Sequence, residues 1–114
     1  MANKLRGELE VNLAGETYRT RLTIDGMVRL EGQLGMGLIA FAQELSQGKC
    51  SITQIIKVLT VSIRGGGNKI EEPQVKEIVA EAGVAPSLAA VGEILTNALM
   101  GGQSEGNEVA AQNE

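Results

Sequence analysis

"IRGGGNKIEE", residues 63–72, decides the architecture. If a strand runs into these glycines and a helix leaves them, the chain is an α/β nucleotide binder. If a helix runs into them, they are a stop between two helices of a bundle. A P-loop places Gly directly before its Lys and Ser or Thr directly after, so that the hydroxyl holds magnesium. Here Asn68 precedes Lys69 and Ile70 follows. The dinucleotide pattern G-x-G-x-x-G fits Gly65 and Gly67, but its third position is Ile70. Both motifs present a helix N-terminus to the anion. The residues before Gly65 carry a helical stripe, so the glycines stand at a helix C-terminus and predict a stop at Gly65 with a connector to Pro73.

Upstream, Ser51 and Gln54 form a capping-box pattern, and Cys50 is placed to staple against Ile55. Ile52, Ile55, Ile56, Leu59 and Ile63 then share one face. Val58 and Val61 point away from that stripe. Two readings stand. Either this helix is central and packed on both sides, or Val58 and Val61 form an outer stripe for a partner chain. They are the candidate partner-binding residues.

Downstream, Pro73 opens a fourth helix with Val75, Ile78, Val79 and Ala82, ending at Gly83. Glu71, Glu72, Glu77 and Glu81 put negative charge early in it and along its solvated side. A fifth helix opens near Pro86, carries Leu88, Val91, Leu95 and Leu99, and ends at Gly101. Earlier, Asp25 is read as the cap of a first helix with Met27, Leu30 and Leu34, stopped by Gly35. A second carries Leu38, Phe41, Ala42 and Leu45, with Gly48 beyond its end.

Residues 8–13 and 16–24 alternate with the period of strands. Leu9, Val11 and Leu13 share one face, and Tyr18, Thr20, Leu22 and Ile24 share another. With Ala14–Gly15 as the loop, Val11 opposes Tyr18 and Leu9 opposes Thr20, while Glu10 meets Arg19 and Glu8 meets Arg21. Each such charge pair contributes up to ~1 kcal/mol, less when exposed. Alanine is poor at the positive φ of a type I′ turn, and a four-residue loop matches the same faces, so both lengths stand.

The fold class is therefore α+β: an N-terminal β-hairpin (about 8–24) followed by a bundle of about five short helices (about 26–100), in one domain over 1–101. Residues 102–114, "GQSEGNEVAAQNE", have no period and are read as a disordered acidic tail.

The 114 residues suit one domain. Its core must be aliphatic, because Phe41 and Tyr18 are the only aromatics. A net charge of −4 without a Lys/Arg cluster argues against nucleic acid. Histidine is absent, which removes the commonest general base, and one cysteine leaves no intrachain disulfide. No D-x-D-x-D-G loop suggests calcium. No apolar run approaches the ~20 residues of a membrane span or resembles a signal peptide. The expectations are no enzyme, no cofactor, no metal, no catalytic residue, no membrane, and a cytoplasmic location.

The stretch "GELEVNLAGETYRTRLTIDGMVRLEGQLGMGLIAFAQEL" resembles a small family encoded in the tail modules of siphophages and gene transfer agents. Its pattern falls here on Gly7, Val11, Leu13, Gly15, Tyr18, Arg21, Thr23, Leu30 and Glu31, and the "SITQIIKVL" helix, glycine break and last two helices follow the same layout. The likeness covers about residues 5–100. It implies a tail assembly chaperone that holds the tape-measure protein soluble in the host bacterial cytoplasm and recruits tail-tube protein, with homo-oligomers also open. The family is also labelled tail-tube protein, so a structural component retained in the particle is the alternative. A small cytoplasmic helical interaction module is a third.

Overall fold

The computed structural model describes residues 7–101. Strands β1 (Glu8–Leu13) and β2 (Glu16–Arg21) precede helices α1 (Ile24–Leu34), α2 (Leu38–Ser46), α3 (Ile52–Gly65), α4 (Glu72–Ala82) and α5 (Val84–Thr96). A π-helical turn, Asn97–Gly101, extends α5. The architecture is α+β, a two-stranded antiparallel hairpin and five helices. The tail predicted over 102–114 lies outside the described residues.

The hairpin takes the two-residue loop. Ala14 and Gly15 have φ of 55° and 80°, the left-handed pair a type I′ turn requires. That turn fixes Val11 opposite Tyr18, Leu9 opposite Thr20, Glu10 opposite Arg19 and Glu8 opposite Arg21. Val11, Leu13 and Thr20 are buried, and the Thr20 hydroxyl donates to the Leu9 carbonyl at 2.9 Å, which satisfies its buried oxygen.

The strand ends earlier than the alternation suggests. Thr23, not Asp25, caps α1: its backbone is extended and its hydroxyl accepts from the Gly26 amide at 3.0 Å. Ile24, expected on the apolar side of the hairpin, is instead the first residue of α1 and 71% exposed. A cap at Thr23 sets Gly26 in the first turn, where an added Cβ would lie 3.6 Å from Val61, an ordinary van der Waals separation. Gly35 ends α1 in the left-handed conformation, its amide bonded to the Glu31 carbonyl. The Glu31 carboxylate then accepts from the Leu38 amide at 2.9 Å. Helix α2 has Gly37 at its N-cap and no cap side chain of its own, so Glu31 supplies the missing acceptor across the turn.

Helix α3 begins with the full reciprocal capping box of Ser51 and Gln54 and runs through the centre. It packs against β2, α1, α4 and α5. Ile55, Val58, Leu59 and Ile63 are fully enclosed. Its buried hydroxyls bond back onto their own helix: Thr60 donates to Ile56 and Ser62 to Leu59, so neither is left unsatisfied. Ile52, placed on the same stripe by its spacing, sits before the buried stretch and is exposed.

The glycine break is both a stop and a crossing. The helix includes Gly65 and ends at Gly66. An added Cβ at Gly65 would overlap the Arg21 carbonyl oxygen, and one at Gly66 the Arg19 carbonyl oxygen. The end of α3 therefore lies directly on the backbone of β2, which only hydrogen side chains permit. Asn68 closes the joint, its amide donating to the carbonyls of Arg19 and Ile63. Arg64 bonds the Ile70 carbonyl and the Glu71 carboxylate, tying the connector back to α3. Glu71 and Gln74 form a second capping box, so α4 opens at Glu72 with Pro73 second. Gly83, at φ 99°, ends α4 and precedes α5.

Candidate functional site

The two valines chosen from the sequence are in the interior. Val58 is fully buried and Val61 is 7% exposed. Their angular distance from the main stripe reflects a central helix with neighbours on several sides, so neither belongs to an outer stripe. Helix α1 packs on α3, with Gly26 facing Val61.

The triple glycine has no donors to offer an anion. The Gly66 amide points at the Ser62 and Ile63 carbonyls, Gly67 at Arg64, and Asn68 at Ile63. These bonds finish the helix. Cys50 is half-buried. Burial, and then the nearby Glu44 carboxylate, push its thiol pKa up, which keeps it protonated and unreactive near neutrality.

The open apolar feature lies elsewhere, between α2 and the end of α5. Ala42 and Leu45 line one wall. Leu88, Leu95, Leu99 and Met100 line the other. On α5 these positions recur at three- and four-residue steps, which makes one continuous stripe. Gly92 sits in the middle of it, and a Cβ there would meet nothing within 4 Å, so the wall is recessed between Leu88 and Leu95. The groove encloses about 480 Å³ and no charged side chain lines it. Its lining holds two hydroxyl residues, Ser46 and Thr96, and the Ser46 hydroxyl donates to the Gln43 carbonyl of its own helix. Met100 is 60% exposed at the rim.

Two features shape this groove. Val91, Ile94 and Leu95 are buried in the core, which fixes how α5 is rotated and leaves Leu88 and Leu99 on the flank. The winding then widens after Thr96. Asn97 donates from its side chain to the Gly7 carbonyl at 3.1 Å, anchoring the π turn to the start of the hairpin. A single π turn inside a helix re-aims the residues that follow it, here Leu99 and Met100.

The sequence carried a signal for this surface. From Val84 to Met100 only Glu93 is charged. A helix apolar nearly all round needs more cover than one side of a core supplies.

The family model described as phage tail tube protein, GTA-gp10, matches residues 6–101. The chain belongs to this phage and gene-transfer-agent tail family. The match spans the hairpin and all five helices of this GTA-gp10 family member. No curated protein and no solved structure matches the chain.

Proposed function

We propose that this tail-family protein is a tail assembly chaperone. In the host bacterial cytoplasm it covers apolar helical segments of the tape-measure protein and helps bring tail-tube subunits to them, without catalysing a chemical step. The observation that carries this reading is the uncharged groove between α2 and α5. An amphipathic helix lays an apolar stripe into such a groove with anchors at three- and four-residue spacing, and a tape measure is rich in stripes of that kind. The chain's net charge of −4 would keep the complex soluble.

The family description favours a second reading, a structural component of the tail. Against it, the described residues carry only two six-residue strands. The buried side of that hairpin is already used by the chain's own helices, whereas a tube wall needs sheet continuous from subunit to subunit.

The test is co-expression with the tape-measure protein. The native chain should keep it soluble and co-purify with it. Leu99→Asp/Met100→Asp places charge in the groove while leaving the buried core untouched, and should abolish co-purification with the circular-dichroism spectrum unchanged. Undiminished capture by that variant refutes the groove. Abundant chain in purified particles, by mass spectrometry, refutes the chaperone in favour of the structural component.

A further inference from the structure

The hairpin has two edges, and among the described residues the chain closes one of them. With a two-residue loop, the flanking pair Leu13 and Glu16 exchanges both of its backbone hydrogen bonds. Bonded and non-bonded pairs then alternate along the ladder. Leu9, Val11 and Leu13 therefore bond to β2, while the amides and carbonyls of Glu10 and Asn12 point outward. On β2 the outward groups are those of Arg19 and Arg21. These are covered: the end of α3 lies on both carbonyls at Gly65 and Gly66, and Asn68 donates to the Arg19 carbonyl at 3.0 Å. On β1, Glu10 and Asn12 are exposed, and no described backbone group outside the ladder bonds to either.

Such a row of outward donors and acceptors is a template for another strand. No proline, lysine or bulge interrupts Glu8–Leu13 to blunt it. Charge then selects the partner. The apolar residues of β1 pack on the chain's own core, and Glu8, Glu10 and Asn12 stand on the other face. A neighbouring strand sets a side chain directly opposite each of these, where opposite charge is favourable and like charge is not. The β1 strand of a second copy would bring acid to acid. On the β2 side Glu10 already stands across from Arg19 and Glu8 from Arg21, and a strand with the same basic alternation would repeat that arrangement on the open side.

We propose that the open edge of β1 is a strand-addition site, and that its occupant is an extended segment of another protein with Lys or Arg at every second residue. The segment lies antiparallel to β1. Its basic residues sit opposite Glu8 and Glu10, and their own amides and carbonyls bond to the outward groups of Glu10 and Asn12. The backbone bonds hold the segment and the glutamates select it. Because the β2 edge is closed, the sheet gains one strand and cannot run on through a series of subunits. The site takes an extended chain, whereas the groove between α2 and α5 takes a helix, so the two stand independently.

The experiment adds a synthetic peptide of alternating Lys and Thr to the full, isotope-enriched chain and follows amide hydrogen exchange by NMR. Alone, the Glu10 and Asn12 amides should exchange as open ones. With the peptide at ~90% occupancy they should slow roughly tenfold, with the Leu9, Val11 and Leu13 amides unchanged. In an antiparallel pairing the lysine amides face β1 and the threonine amides face away. N-methylation of the lysines should therefore abolish the slowing, and N-methylation of the threonines should preserve it. A Glu–Thr peptide should give none. No slowing with the Lys–Thr peptide overturns the proposal, as does equal slowing with the lysine-methylated or the Glu–Thr peptide. Slow exchange before any peptide is added, deepening with chain concentration, overturns it in favour of a second copy.

Discussion

Replacing Gly65 or Gly66 by alanine tests whether the glycine break stops a helix or lets a helix touch a strand. The two ideas predict opposite signs. Gly65 is helical, so relief from glycine alone should stabilise by roughly 0.5–1 kcal/mol. Gly66 has φ −81° and ψ 0°, a conformation alanine adopts without strain. On local grounds neither substitution should harm the fold. The packing says otherwise. An added Cβ at either site would sit about 1 Å inside the 3.0 Å separation that real Cβ atoms keep from their neighbours, and the obstacles are backbone carbonyls of Arg21 and Arg19. A carbonyl in a paired strand cannot rotate aside as a side chain does. Overpacking of this kind costs ~1–3 kcal/mol, occasionally more, and here the hairpin must separate from α3. We expect net destabilisation of about 2 kcal/mol or more for each variant.

Urea unfolding followed by circular dichroism reads this directly. With a slope of ~1–3 kcal/mol/M, a loss of ~2 kcal/mol lowers the midpoint by about 1 M. Gly32→Ala is the control. It lies in α1 with nothing within 4 Å of an added Cβ, and should raise stability by ~0.4–1 kcal/mol. If Gly65→Ala and Gly66→Ala rise with Gly32→Ala, the close crossing of α3 over β2 is wrong and the glycines are only a stop.

Ala14 occupies a left-handed turn position at φ 55°, so Ala14→Asn should stabilise by about 0.5–1 kcal/mol and raise Tm by about 3–6 °C; an unchanged or lower Tm would rule out that turn. Val58→Asp buries an unpaired carboxylate in α3 and should unfold the chain; a soluble, cooperative variant would return Val58 to the surface. The Cys50 thiol has its pKa raised, first by burial and then by Glu44. Its contribution to stability is therefore complete below the unfolded thiol's pKa and is lost as pH rises through the higher folded value. Iodoacetamide labelling should accordingly need a more alkaline pH in the native chain than in urea, and equal profiles would contradict the buried setting.

What was legible in the sequence was what short-range chemistry fixes. The hairpin register followed from alternation together with the Glu–Arg pairs, and α3 announced itself through Ser51 and Gln54. The loop length remained open because Ala14 is a poor turn residue, accepted here because the pairing on both faces holds it. The cap of α1 falls on Thr23 and not on Asp25, although both are good cap residues, and short-range pattern does not separate them. The role of Glu31 was hidden because its partner, the Leu38 amide, belongs to the next helix. The sequence places the helix stop at Gly65, and the helix ends one residue later, at Gly66; the second job of both glycines depends on where β2 lies in space. The site was less legible than the fold. Val58 and Val61 point off the main stripe, yet a central helix has neighbours on that side too, so angular position alone does not mark an outer surface.

The burial of Val58 and Val61 leaves the open apolar surface to other helices. Between Ile55 and Ile63 helix α3 is mostly buried, because β2, α1, α4 and α5 all pack on it. Any apolar surface left over must then sit on a peripheral helix whose stripe is wider than the core can cover. Among the described residues α5 and its π turn fit that condition best, with one charge between Val84 and Met100 and a recessed, uncharged flank against α2. The exposed Ile24 and Val28 form a smaller patch on α1, without a facing wall to make a groove. Leu99→Asp/Met100→Asp should accordingly abolish capture of an apolar helix, and Val28→Asp on the α1 patch should leave it unchanged. Equal loss in both variants would mean that the groove is not the capture surface.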